Sequence, residues 1–158
     1  MELLVPGPEP VPANSLASVR ARRAELRESM NALEQALAGA GPGRIEPWAE
    51  RVHVALVELS GDLRAHVHLS EGPGGLYEEV LASAPRLAGR VRRLIHEHGE
   101  MTWLVEDLIA RAGGPLDDEG LVTVRSRGTT LLGRLVRHRQ AGADLLYEAY
   151  QTDVGGET

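Results

Sequence analysis

The sequence predicts an all-α protein, an up-down-up-down four-helix bundle, on three observations. Ala, Leu, Glu and Arg dominate while aromatic residues make up 3% with no Phe, which is a helix-forming alphabet. Apolar residues recur at alternating spacings of three and four along four long stretches, the one-sided stripe of a packed helix. The links between these stretches are short and carry Gly and Pro, so consecutive helices are expected to turn back on one another. A chain of 158 residues is long enough to bury a core as one domain.

Residues 1–13 contain Pro6, Pro8, Pro10 and Pro12, which rules out a regular element and predicts a flexible arm. The bundle is expected over residues 14–156. Asn14 or Ser15 caps the first helix, whose stripe runs Leu16, Val19, Arg23, Leu26, Met30, Leu33 and Leu37. Arg23 stands where an aliphatic residue belongs. Gly39, Gly41, Pro42 and Gly43 end the helix.

The second helix starts near Ile45 or Glu46, with Pro47 tolerated in its first turn. Its stripe is Val52, Leu56, Leu59, Leu63, His66 and Ser70, and Gly72, Pro73, Gly74 and Gly75 then disturb it. Residues 76–82 read as helical again, either as a kinked extension or as a short separate helix. Ser83 and Pro85 open the third long helix, with Leu87, Val91, Leu94, His98, Met101, Val105 and Leu108 inward and Gly113, Gly114 and Pro115 at its end. The last helix begins at Asp117, Asp118 and Glu119, favourable against the helix dipole. Its stripe is Leu121, Val124, Gly128, Leu131, Leu135, His138, Gly142, Leu145 and Ala149.

Charge and composition narrow the chemistry. A net charge of −6 argues against nucleic acid or an anionic membrane as partner, because both select a basic face. The chain has no cysteine, which excludes disulfides and thiolate metal sites and leaves His, carboxylate or water as metal ligands. No apolar run reaches the roughly 18 residues of a membrane span, and the N-terminus lacks the basic start of a signal sequence. A cytoplasmic protein is expected. No phosphate loop, dinucleotide fingerprint or Gly-x-Ser-x-Gly elbow is present.

Three inward histidines therefore carry the functional argument. At about 1.5 Å per residue, measured from the links, His66, His98, His138 and Arg23 fall in one layer of the bundle, within one to two turns of each other. Imidazoles from facing helices are how bundles hold iron, zinc, copper or manganese. Glu71 follows His66 by five residues, about 140° round an ideal helix, so only a local distortion would bring it onto the same face. His68 and His96 each stand two residues from an inward histidine and are expected at the surface or in a supporting role; His53 is expected to be exposed. Tyr147, Glu148, Tyr150 and Asp153 close one end of the bundle or donate an acid or tyrosine to a pocket.

These residues carry a resemblance. The run from Leu63 through His66, His68, Glu71 and the Gly72–Gly75 break to Tyr77, the Glu97-His98 pair, and Arg137-His138-Arg139-Gln140 leading to Asp144 and Tyr150 resemble the hemerythrin-like, His-His-Glu cation-binding family over residues 14–156. The resemblance implies a four-helix bundle that holds two bridged irons with about five histidines and two carboxylates, binding O2, NO or peroxide, storing iron or sensing redox state. The chain departs from that pattern. Arg23, Thr102, and Gly142 or Ala143 occupy three expected ligand positions, Asp144 comes one residue late, and only His66, Glu71, His98 and His138 remain in place.

The expectation is accordingly a reduced metal site of His66, Glu71, His98 and His138 with iron as one ion or two, and a small diatomic or peroxide as ligand. Arg23, always protonated, opposes a dication in that layer and offers Glu71 a counter-ion. The alternatives are a regulatory or interaction bundle that has lost its metal, and an oxygen-activating non-haem iron enzyme in which Arg23 positions an anionic substrate.

Overall fold

The structure is a computed structural model that describes residues 16–39, 41 and 43–155, with side chains described over 17–150 of these. The expected arm and the cap at Asn14 or Ser15 lie outside the described residues. The chain is all-helical, with no strand among the described residues: α1 (Leu16–Ala38), α2 (Ile45–Glu71), α3 (Leu76–Ser83), a 3-10 turn (Pro85–Leu87), α4 (Ala88–Ala112) and α5 (Asp118–Gly155). No described helix is long and apolar enough to cross a membrane.

The stripes read from the sequence are the packed faces. α1 lies on α2, α2 on α4, α4 on α5, and α5 returns to α1. Leu26, Leu33, Trp48, Val52, Leu56, Leu59, Leu63, Met101, Leu108, Leu131 and Leu135 form one apolar cluster. Tyr77, Val80, Leu87, Val91, Leu94, Leu145 and Ala149 form a second. The three inward histidines interrupt these stripes between Leu63 and Ser70, Leu94 and Met101, and Leu135 and Leu145, so a polar layer divides the core in two.

Helix ends are fixed by particular side chains. Arg125 of α5 donates from Nε to the Leu37 carbonyl at 3.0 Å and from a terminal nitrogen to the Gly39 carbonyl at 3.0 Å, placing a cation on the negative end of α1. The same guanidinium lies 5.3 Å from the centre of the Trp48 ring. Gly41 is buried, and a Cβ there would stand 2.5 Å from Leu121 Cδ1, so only glycine lets the link pass so close to α5. Asp117 caps α5 by accepting from the Gly120 N–H at 2.7 Å.

The break after α2 is a true termination. Gly72 is extended, and a Cβ on it would stand 2.4 Å from the His68 carbonyl oxygen. Gly74 takes a positive φ of 69°, and its N–H donates to Glu78 at 2.7 Å. α3 is therefore the separate short helix of the two expected alternatives. Ser83, expected to open the third long helix, instead belongs to the last turn of α3, where its hydroxyl donates to the Glu79 carbonyl at 2.9 Å. Pro85 begins the 3-10 turn, whose 3.0 Å bond from the Leu87 N–H to the Ala84 carbonyl leads into α4.

Candidate metal centre

Three helices aim one imidazole each at the polar layer. His66 on α2 sits three residues after Leu63, His98 on α4 four after Leu94, and His138 on α5 three after Leu135, so each inherits the inward direction of its stripe. His98 and His138 are 2% and 3% exposed, hence sealed from bulk water, while His66 is half-buried. His66 Nε2 and His138 Nε2 are 3.3 Å apart. The ring centres of His98 lie 4.6 Å from His138 and 5.0 Å from His66. One nitrogen from each of the three falls within 4.8 Å of the others.

Two carboxylates stand behind the ring of imidazoles. Glu97 Oε2 accepts from His138 Nδ1 at 2.7 Å. That bond keeps a proton on Nδ1 and leaves the Nε2 lone pair facing His66. Glu71, expected as a ligand, stands outside the trio: its Oε2 lies 3.3 Å from His98 Nδ1. It is the last residue of α2, five beyond His66, and its neighbour at the centre is His98. The phenol ring of Tyr77 stacks on His98 at 5.9 Å, nearly parallel at 11°, and covers it from the α3 side.

Electrostatics hold the trio neutral. Burial, then the neighbouring His138, Arg23 and Arg139, lower His66 to about 4. Burial followed by His138 and His66 lowers His98 to about 3. His138 is lowered as well, since burial outweighs the opposing hydrogen bond to Glu97. Burial raises the Glu71 carboxyl and pushes up the Tyr77 phenol. Neutral imidazole is the form that ligates a metal.

Whether the residues fit a metal is decided by donor chemistry and by what is left unsatisfied. His98 Nε2 is buried without a hydrogen-bond partner, while Nδ1 faces the Glu71 carboxylate at 3.3 Å. A buried imidazole in that state asks for a ligand. Metal–nitrogen bonds of about 2.1 Å put neighbouring donors in a tetrahedral shell about 3.4 Å apart. The His66–His138 separation of 3.3 Å already matches. The 4.8 Å limit on the separations in the trio leaves a closing of at most about 1.4 Å, within reach of side-chain rotation. The residues present fit one ion held by three histidines.

The remaining expected positions are placed as follows. Arg23 is half-buried and lines the cavity beside His66, Tyr77, His138 and Arg139. It forms no ion pair with Glu71, whose neighbour is His98, nor with any other carboxylate among the described residues. Thr102, Gly142 and Ala143 are half-buried, and a Cβ on Gly142 would stand in ordinary contact with Arg23 at 3.8 Å. Asp144 accepts from Gln140 at 2.9 Å on the surface. His68 is exposed, and His96 is exposed with Glu100 at 2.8 Å. His53, expected in solvent, is half-buried against the Gly113 link. At the end of α5, Tyr150 donates to Glu79 at 3.0 Å and Glu148 pairs with Arg90. These contacts tie α5 to α3 and α4 rather than reaching the histidines. The side chain of Asp153 is outside the described residues.

Sequence reasoning missed Glu97 and Tyr77 as members of the centre. Glu97 sits one residue before an inward histidine, about 100° off the stripe, a position that reads as solvated. Its signal is the equal depth of His138 on the adjacent helix. Tyr77 is the second residue of the short helix after the glycine break, and only the packing of α3 turns it onto His98. No family model matches the chain, and no curated protein or solved structure is similar enough to lend it an identity.

Proposed function

We propose that the protein is a hemerythrin-like, up-down-up-down four-helix bundle with a reduced metal site, in which His66, His98 and His138 hold a single transition ion, iron on the family resemblance. The observation that supports this most is the meeting of three imidazoles from three helices, two buried and one half-buried, with one nitrogen of each within 4.8 Å of the others and His98 Nε2 otherwise unpartnered. The short links after α1 and α4 and the closed ring of helix neighbours support the up-down course. Glu97 and Glu71 orient His138 and His98, as carboxylates behind metal-binding histidines do. A bound iron would supply open coordination positions for O2, NO or peroxide. Tyr77 shields His98 from water on the α3 side.

A second reading is favoured by Arg23. Its guanidinium lies in the layer where a cation would sit, and a retired site would keep the histidines and arginine as a polar network in a bundle that acts through its surface. Elemental analysis of protein expressed with added iron separates the two. The proposed site gives one ion per chain in the wild type and a loss of it in His98→Ala and His138→Ala. Wild-type protein free of metal after loading with iron, zinc and manganese in turn overturns it.

A further inference from the structure

Between α1, α2, α3 and α5 a small cavity opens beside the histidine trio, lined by Arg22, Arg23, His66, Tyr77, His138 and Arg139. Its interior of about 30 Å³ has room for about two water molecules. The charges around it do not balance. Arg22 is held by Glu25 at 3.0 Å, but neither Arg23 nor Arg139 has a carboxylate partner among the described residues. The Arg139 Nε is buried with no hydrogen-bond acceptor. Glu71 and Glu97 are each engaged by a histidine and leave the arginines unneutralised.

We propose that this cavity binds a small planar oxyanion, of the size of formate or nitrate, between the guanidiniums of Arg23 and Arg139. The fork of an arginine matches a planar oxyanion through two parallel N–H···O bonds, and the buried Nε supplies a donor that nothing in the chain accepts from. The narrow interior favours a small anion over a large one. An anion here also removes the conflict between Arg23 and a dication in one layer, since a negative charge between them attracts both. This inference rests on the reading of the trio as the functional centre and narrows its ligand from neutral diatomics to a small oxyanion.

The test uses the full chain stripped of metal with chelator, titrated with sodium formate and sodium nitrate at constant ionic strength. Chloride and sulfate serve as controls for screening and size, with heat of binding and Tm as readouts. Formate or nitrate binds the wild type and raises Tm, while chloride and sulfate do not. Arg23→Gln and Arg139→Gln each weaken binding by roughly tenfold to a hundredfold, the loss expected for a charged hydrogen bond. Arg23→Lys falls in between, and Arg111→Gln, whose side chain pairs with Asp107 away from the cavity, leaves binding unchanged. Failure of both oxyanions to bind, an equal response to chloride, or equal binding by Arg23→Gln of normal helical content overturns the inference. Metal content is measured separately. A wild type without metal that still binds formate through Arg23 removes the metal reading and keeps the oxyanion site, whereas His98→Ala without metal but with unchanged formate binding supports both.

Discussion

His138 has one nitrogen committed to Glu97 and the other presented to the centre, so the carboxylate sets which lone pair is available. Replacing Glu97 with Ala leaves Nδ1 without its acceptor, and metal affinity is expected to fall by roughly 10- to 100-fold, measured by competition with a chelator. Glu97→Gln keeps an acceptor and is expected to fall less. The depressed histidines also set an acid limit. Their folded pKa values lie below the unfolded value, His66 at about 4 and His98 at about 3 against 6.5. Between those values the unfolded chain binds more protons, so the metal-free protein is expected to hold its stability above pH 6.5 and lose it progressively as pH falls toward 4 and 3. Urea midpoints measured across that range check the sign, and His98→Leu should flatten the decline.

At the level of elements, the ends of the helices carry information that their apolar faces do not. Arg125 joins the C-terminus of α1 to α5 through two carbonyls and to Trp48 through its ring. Arg125→Ala is expected to cost about 1–3 kcal/mol and to raise amide exchange in the last turn of α1, which urea unfolding and hydrogen exchange would show. α2 ends at Gly72, directly after the Glu71 carboxylate that meets His98. A side chain at Gly72 collides with a backbone oxygen rather than a flexible side chain. Gly72→Ala should therefore shift the end of α2, loosen the Tyr77 cover and lower both Tm and metal content.

Across the whole molecule, the polar layer costs stability that two apolar clusters must offset. Leu56, fully buried in the larger cluster, is expected to cost about 2–5 kcal/mol when replaced by Ala. The layer itself behaves in the opposite sense. Replacing His66, His98 and His138 together with Leu should raise the Tm of the metal-free protein, because unpartnered buried nitrogens give way to packing that joins the two clusters. A lower Tm for the triple variant would mean that the imidazoles stabilise the apo fold by themselves.

The stripes of all four long helices were legible because burial has the periodicity of the helix, and each of the described aliphatic residues from Val19 to Ala149 named on them is buried. The same rhythm exposed His66, His98 and His138 as substitutions in an aliphatic series, and their common depth followed from a fixed rise per residue. What sits beside a stripe was not legible in that way. Glu97, Tyr77 and Glu71 join the centre through histidines on other helices, His138 for the first and His98 for the other two. Periodicity along one chain determines which face turns inward; the partners across that face depend on how separate helices are rotated and where they end, and only the packed tertiary structure decides that.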